Sequence, residues 1–495
     1  MKSNRQHGRV TFRLRSTWRS GANPKTSTAR GMRIACGRHG TGASVLLVTL
    51  LTAGIIGLTL ASYLWMVSQQ HLSVMRSQAW NAAIPVAEAG VEEALTQLQY
   101  TDSAHLAINH WTDLTNGWVD KQLAVSPNTY YDVMIKKVEP PIIISTGFVP
   151  APRLPSAVFG AILAQGAPSP SDPSYAKRRI LVNTVRYPLL PGAMVAKGHI
   201  ELAGNNVTTD GFDSGDPNYN TGGKYDRTKS KASGDVATNA SDTSGKTFVP
   251  AINVGDADIK GKVSTGAAGT AVVGANGSVG DLPWVDSGTP GIKPGWGDGH
   301  DNHFDFSIVP APFATSYATP VAGVVGTNAF TCILDGALNQ NYRVADFKGQ
   351  VYVTGNVNLL VTDTFAFGSG EYIYIAPGAT LKVWVAAPTA TLGGSGVINS
   401  DGYAIGFQYY GLAQNTSFKF AANASYTGTI YAPKADFTLG GGGSTDYDFV
   451  GACVVNTVKM NGHYHFHFDE ALRGKLWKGY VATSWNEIDP SAPIN

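Results

Sequence analysis

An apolar stretch of 25 residues, from Ala43 to Val67, constrains the fold of this chain more than any other feature. It lies in a window from His39 to Met75 that contains no Asp, Glu, Lys or Arg. A helix of that length rises ~1.5 Å per residue and can cross a hydrocarbon core of ~30 Å with some tilt. The sequence therefore predicts one membrane-spanning helix near the N-terminus.

The charges on either side of this stretch predict its orientation. Residues 1–42 carry ten Lys and Arg and no acid, and the first carboxylate is Glu88. Under the positive-inside rule the N-terminus stays cytoplasmic and the chain after Val67 lies beyond the membrane. A secretory signal peptide is the alternative, but its apolar core is usually about 7–15 residues and ends in small residues. Here the stretch ends in Tyr63, Leu64, Trp65 and Met66, so we expect a retained span.

Composition divides the rest of the chain. Of 57 glycines, 44 occur from Gly192 onward, which marks a domain boundary. The net charge of +2 combines a basic leader with a balanced remainder and predicts no nucleic-acid partner. Three cysteines are too few for a disulfide framework. Cys36 precedes the span, and Cys332 and Cys453 are predicted to be two buried thiols, with a bridge as the alternative.

The predicted organisation has five parts. Residues 1–42 are a disordered cytoplasmic leader, 43–67 the transmembrane helix, 68–191 an amphipathic helix with a small α+β neck, 192–472 a β-helix-like domain, and 473–495 a tail. In the neck, Ala87, Val91 and Leu98 follow helical spacing, and Pro85 should bend or restart the helix. Stretches 130–138, 142–149 and 180–186 are predicted to form antiparallel strands.

The helix after the span carries a resemblance to a known family. Its sequence from Val86 to Leu95, VAEAGVEEAL, together with the basic leader and the apolar span, resembles the N-terminal region of type IV pilin-like and pilus-assembly minor pilin proteins. The resemblance implies cleavage by prepilin peptidase between Gly42 and Ala43. It also implies other pilin-like subunits as partners. Leu47 departs from the glutamate that most pilins carry at this position, which argues against a self-polymerising major subunit.

The glycine-rich part contains a repeated corner. Four stretches align about Gly355, Pro388, Pro433 and Asn456: VYVTGNVNL, WVAAPTATL, TIYAPKADF and ACVVNTVKM. Alternation on both sides of each corner is typical of stacked coils in a parallel β-helix. The alignment stacks Val357, Ala390, Ala435 and Val458 in one column. It also places Cys453 near Ile430.

The spacing of these corners carries a further prediction. Spacings of 33, 45 and 23 residues indicate a coil with an inserted loop, two coils and one coil. Residues 198–280 are predicted to be earlier coils, and 287–325 a crossing segment. The fold class is therefore mainly β, with a right-handed parallel β-helix-like domain, and an irregular sandwich is the alternative.

The C-terminal run 428–472 carries a second resemblance. Its Tyr-Ala-Pro corner, the Gly-Ala before Cys453 and the final His-Phe-Asp-Glu-Ala-Leu resemble an uncharacterised bacterial β-helix-like domain that commonly follows pilin-like N-termini. This resemblance implies no enzymatic activity.

Two groups of residues could bind a metal. His463, His465 and His467 alternate with aromatic residues, so a strand places them on one face, where zinc could bind. Side chains at i and i+2 lie ~7 Å apart, which is wide for one ion. We therefore expect a solvated final rung with Tyr464, Phe466 and Phe468 inward, and metal binding is the alternative. Loop acids could bind calcium, but the D-x-D-x-D-G spacing is missing, and we expect simple exposed turns there instead. These residues are Asp298, His300, Asp301, His303 and Asp305, and Asp210, Asp213 and Asp216.

The function expected from the sequence is structural. We expect a single-pass bacterial inner-membrane protein, N-terminus cytoplasmic and bulk extracytoplasmic, that contributes to a type IV pilus, a type II secretion-like assembly or surface adhesion. Its partners would be the membrane, pilin-like subunits and a polysaccharide or other surface ligand. We expect no enzyme and no cofactor. The alternatives are a β-helix carbohydrate-active enzyme, which would need paired carboxylates on adjacent coils, and a surface-anchored binding protein outside any filament.

Overall fold

A computed structural model describes residues 41–493 apart from 100–105, 107, 115, 153–174, 204–205, 244–247, 298–300, 441–444 and 462. The described chain is mainly β, with one long apolar N-terminal helix. The predicted leader up to residue 40 and residues 153–174 of the predicted neck lie outside the described residues.

Helix α1 runs from Thr41 to Gln97. Its part up to Met75 forms a unit of its own, in which the apolar side chains from Val45 to Val67 are all exposed, with Leu50 and Leu58 each 72% exposed. It is long and apolar enough to cross a membrane, and none of the described residues covers its apolar surface. Pro85 lies inside α1 and does not restart it, contrary to one of the two outcomes predicted for it.

From Arg76 onward α1 belongs to the second unit and packs on a sheet. Ala83, Ala87, Val91 and Ala94 are fully buried, as the helical spacing of Ala87 and Val91 predicts. The neck sheet begins with β1 (Thr112–Asp113), β2 (Trp118–Ser126), β3 (Thr129–Lys136), β4 (Ile142–Pro150) and β5 (Tyr175–Pro188). Neighbouring strands in this order are antiparallel. The three predicted strands correspond to β3, β4 and β5.

After the neck the chain becomes a series of short strands. They are β6 (Met194–Ala196), β7 (Ile200–Leu202), β8 (Thr208–Phe212), β9 (Val236–Thr238), β10 (Ile252–Gly255), β11 (Asp258–Lys260), β12 (Val263–Ser264), β13 (Ala271–Val273), β14 (Ser278–Gly280) and β15 (Gly291–Ile292). Helix α2 (Leu282–Asp286) lies between β14 and β15. This part contains the residues predicted as early coils.

A second series follows. It comprises β16 (Val321–Val325), β17 (Asn328–Asp335), β18 (Asn341–Phe347), β19 (Gln350–Thr354), β20 (Asn356–Phe367), β21 (Tyr372–Ile375), β22 (Thr380–Val385), β23 (Thr389–Leu392), β24 (Val397–Asn399), β25 (Phe407–Gly411), β26 (Ser417–Phe420), β27 (Tyr426–Leu439), β28 (Tyr447–Met460) and β29 (Tyr464–Asp469). Except for the antiparallel pair β16–β17, their ladders are parallel.

The two series form one continuous stack of coils, but not in chain order. Strand β28 pairs along its length with three strands: β29, then β6, then β7. The next coil consists of β8, β9 and β10, which pair with β29, β6 and β7. One coil is therefore a composite of the end of the second series and the beginning of the first. The chain enters the stack in its middle, builds outward to β15, and returns to build the other side.

The return path is the segment predicted to cross. Asn302 N donates to the Thr265 carbonyl and Phe304 N to the Asn239 side chain, so the segment starts beside the first series. Further along, the Tyr431 hydroxyl donates to the Ser307 carbonyl, and Ala318 forms a bridge with Tyr342 in β18. It therefore runs along the stack from the first series to the far end of the second.

The C-terminus returns to the neck. After helix α3 (Leu472–Lys475), strand β30 (Trp477–Ile488) pairs antiparallel with β5 and completes a six-stranded sheet. The prediction that residues 473–495 are a tail is wrong. The chain enters and leaves the stack beside the neck because its first strand, β6, and its last strand, β29, lie in the same coil.

The register of the coils corrects the predicted column. Ala390 pairs with Phe365 and Phe418, and Val458 pairs with Phe437 rather than Ala435. Val357 pairs with Leu381 at a different corner. The single column is therefore wrong, because corner lengths vary and the register shifts between Ala432 and Asp436.

Part of the spacing argument holds. Pro433 and Asn456, 23 residues apart, lie on the adjacent strands β27 and β28, and the β25–β26 coil separates the Pro388 and Pro433 corners. The 33-residue spacing separates Gly355 from Pro388, which lie at different corners of the coils, so it does not require an inserted loop. Ile430 pairs with Cys453 as predicted. Cys332 and Cys453 are both buried free thiols.

Candidate functional site

The three predicted histidines lie on or beside β29, in the composite coil. Tyr464, Phe466 and Phe468 point into the core and are fully buried, which leaves the histidines on the outer face. His467 is nevertheless only 4% exposed. The expectation of a solvated final rung is wrong, because β8 lies beyond β29 and the segment from Asp213 to Lys231 after β8 covers this face.

His467 lies between two carboxylates. Its Nδ1 is 2.5 Å from Asp210 Oδ1 and its Nε2 is 3.2 Å from Asp448 Oδ1. Tyr225, from the covering segment, stacks on the imidazole with ring centroids 3.6 Å apart and donates a 2.6 Å hydrogen bond to Asp210 Oδ2. Three separate parts of the chain therefore meet at one ring.

The network determines the charge of His467. Burial alone lowers the pKa of this imidazole, but hydrogen bonds to Asp210 and Asp448 and their charges outweigh burial and raise the pKa above its usual value. The hydrogen bond to His467 lowers the pKa of Asp448. Burial, and then the charge of His467, lower the pKa of the His465 imidazole. Burial also raises the pKa of Tyr225, which keeps its hydroxyl protonated.

A cavity of about 300 Å³ opens beside this network. Its lining residues are Thr208, Asp210, Tyr225, Arg227, Lys260, Asp448, His465 and His467. Asp210 uses one carboxylate oxygen for Tyr225 and the other for His467, and its side chain is 8% exposed. The side chain of Asp448 is 53% exposed. Only the second of these carboxylates can therefore reach a ligand without breaking the network.

The three histidines predicted to bind a metal have separate carboxylate partners. His463 Nδ1 and His465 Nε2 lie 3.3 Å and 3.9 Å from the same residue, Asp446, while His467 is held by the other two acids. Among the described residues, no group of three or more His, Cys, Asp or Glu side chains could hold a metal ion. The chemistry supported here is hydrogen bonding and ion pairing rather than zinc ligation.

The loop acids predicted for calcium have other roles. Asp213 and Asp216 accept hydrogen bonds from the backbone of Gly215 and Asn218, as turn and cap residues do. Asp305 pairs with Lys478 at 2.8 Å. Of the remaining members, Asp301 and His303 are exposed, and Asp298 and His300 lie outside the described residues.

Comparison with known families finds one match on this part of the chain. Residues 349–475 match a domain of unknown function, DUF7305. The DUF7305 region contains β19 to β29 and contributes Asp448, His465 and His467 to the cavity. Thr208, Asp210, Tyr225, Arg227 and Lys260 come from outside it. No curated protein and no solved structure matches the chain.

Sequence reasoning missed five of the eight residues that line this cavity. Asp210, His465 and His467 were singled out, but as candidate ligands of different metals. The residues that were missed are Thr208, Tyr225, Arg227, Lys260 and Asp448. Asp210 and His467 are 257 residues apart, and only the composite coil makes β8 and β29 neighbours. The burial of β8 does not alternate, and no pattern in the sequence links the two strands.

Replacing His467 with glutamine is expected to lower stability in a pH-dependent way. A raised folded-state pKa stabilises the fold fully below the unfolded value of ~6.5, and that contribution is lost as pH rises through the folded-state pKa. The stability gap between wild type and His467→Gln should therefore be larger at pH 5.5 than at pH 8.5. Thermal unfolding of the full chain in detergent at both pH values measures it. The exposed His303→Gln serves as the control, and a gap that does not change with pH would contradict the assignment.

Proposed function

We propose that this chain is a membrane-anchored, pilin-like structural protein of the bacterial envelope. The apolar part of α1 would hold it in the inner membrane, with the basic leader in the cytoplasm and residues after Val67 outside. The observation that carries the proposal is that every apolar side chain from Val45 to Val67 is exposed, since such a surface is stable in lipid and not in water.

The neck supports the pilin-like part of the proposal. The half of α1 after Arg76 buries small side chains against an antiparallel sheet, so one continuous helix would serve as anchor and as the spine of a soluble head. Packing of such helices with those of other subunits is how the chain would enter a pilus or a type II secretion-like assembly.

The coil stack supports the head's role. We propose that it is a right-handed parallel β-helix, because parallel ladders run from coil to coil with fully buried apolar residues inside. Its long lateral surface would serve adhesion or contact with a partner. A surface-anchored binding protein outside any filament shares this head and differs only in the fate of the leader.

N-terminal sequencing of membrane-extracted protein distinguishes a subunit that enters an assembly from a plain membrane anchor. A new terminus at Ala43 supports assembly through prepilin peptidase, and an intact leader supports a plain anchor. Gly42→Leu should block cleavage, while Gly40→Leu, two residues away in the same leader, should not. Protein that is released by alkaline carbonate without detergent would contradict both versions.

A carbohydrate-active enzyme remains a second candidate because Asp210 and Asp448 lie on nearby coils beside a cavity. Glycoside hydrolysis usually needs two carboxyl groups that both reach the scissile bond. Asp210 is buried with both oxygens engaged, which favours binding over hydrolysis. Release of reducing sugar from an acidic polysaccharide by wild type, and its loss in Asp448→Asn, would reverse this preference.

A further inference from the structure

We propose that the cavity beside His467 binds a sugar that carries a carboxylate, such as a uronic acid residue of an acidic polysaccharide. The cavity combines two cationic side chains, a half-exposed carboxylate, the imidazole of His465 and a hydroxyl within one recess on the flank of the coil stack. This set matches a ligand with one negative charge and several hydroxyl groups.

Arg227 would bind the carboxylate of the sugar. It is exposed, lines the cavity, and makes no hydrogen bond or ion pair through its guanidinium with the described residues. A planar guanidinium binds a carboxylate through two parallel hydrogen bonds. Lys260 adds a second positive charge, although its ammonium is 2.7 Å from Asp286. An unpaired arginine beside a partly paired lysine favours an anion.

The charge balance favours a monoanion. His467 is flanked by Asp210 and Asp448, so both ring nitrogens are already engaged by carboxylates and cannot bind an added anion. A phosphate carries close to two negative charges at neutral pH and would meet Asp448 at the rim of the cavity. A carboxylate carries one charge, which Arg227 can neutralise. A carboxylate therefore fits this cavity better than a phosphate does.

The remaining groups suit hydroxyls. Asp448 engages one oxygen with His467 and is half exposed, so it can accept from a sugar hydroxyl. His465 and Thr208 share a hydrogen bond of 2.8 Å between Nδ1 and Oγ1 at the cavity wall. The volume of about 300 Å³ is at the small end of ligand pockets, which suits one sugar unit rather than an extended chain.

The arrangement is held before any ligand binds. Asp226 caps the short 3-10 helix Arg227–Lys229 by accepting from Thr228 N, and its hydrogen bonds to Thr221 and Thr228 lower its pKa to about 2. Stacking of Tyr225 on His467 ties the same segment to β29. Because these contacts order the segment, less entropy is lost on binding.

Titration of the full chain in detergent micelles with galacturonic acid tests the proposal. Saturable binding is expected for the acid, and at least tenfold weaker binding for galactose, which differs by the carboxylate. Arg227→Gln should weaken binding of the acid by about tenfold to a hundredfold, the range of charge-assisted hydrogen bonds. Lys224→Gln is the matched control, since it removes one positive charge from the same segment but does not line the cavity.

Each outcome is decisive. Equal binding of galactose and galacturonic acid, equal losses in Arg227→Gln and Lys224→Gln, or stronger binding of inorganic phosphate than of the acid would overturn the proposal. No saturable binding of galacturonic acid would overturn it as well. This inference rests on the adhesive role proposed above, for which the site would bind the ligand. The sugar-binding proposal and the proposed function fail separately, because N-terminal sequencing and membrane extraction do not depend on sugar binding.

Discussion

Replacing Phe466 with alanine is expected to lower the free energy of unfolding by about 3–5 kcal/mol. Phe466 is fully buried in β29 and stacks on Phe449, with ring centroids 4.2 Å apart and planes 13° apart. The composite coil is the point where the two series of strands meet. A cavity there removes packing from β28 and β8 together, and collapse is difficult because parallel ladders hold both sides.

Denaturant unfolding of the full chain in detergent, followed by aromatic circular dichroism, measures this loss. Phe248→Ala is the matched control, because that side chain is 58% exposed and should change stability by less than about 0.5 kcal/mol. Hydrogen exchange should show the loss of protection in β8 as well as in β28, although they belong to different series. Equal stability of the two variants would show that the composite coil is not formed as described.

Replacing Gly147 with alanine is expected to destabilise the neck by about 3 kcal/mol, the upper end of the usual cost of overpacking. A Cβ at this position would lie 2.2 Å from the Ala83 carbonyl oxygen and 2.7 Å from Ala87 N. Both atoms belong to the backbone of α1, which cannot move aside as a side chain can. The helix would have to lift from β4.

Gly474→Ala is the control, since an added Cβ meets nothing within 4 Å and the residue lies in helix α3. Hydrogen exchange localises the effect: faster exchange is expected in β3, β4 and the second half of α1, with the coil stack unchanged. An unaltered neck in Gly147→Ala would contradict the close helix–sheet contact.

The position of the DUF7305 region in the stack explains why the cavity has two sources. The matched residues 349–475 end the second series, and their outermost strands β28 and β29 are covered by β6, β7 and β8 from outside the match. The covering segment with Tyr225 and Arg227 follows β8. Recognition by this cavity would therefore depend on residues that the matched domain does not contain.

Several features of the fold were predictable because their signals are local. The apolar stretch, the helical spacing in α1 and the three neck strands each depend on residues close in sequence. The pairing of Ile430 with Cys453 was predictable because β27 and β28 are consecutive coils joined at similar corners. The column through Val357 failed because each coil has several corners, and alternation does not say which corner is which.

The sequence by itself determined the apolar helix, the β character of the glycine-rich part and the inward direction of Tyr464, Phe466 and Phe468, because hydrophobic periodicity specifies which side of an element is buried. Only the tertiary structure decided that β29 lies in the middle of the stack, that residues 477–488 complete the neck sheet, and that Asp210, Tyr225 and Asp448 surround His467. These contacts join strands that are far apart in the chain. Hydrophobic periodicity shows which side of a strand is buried, but it does not show which other strand lies beside it.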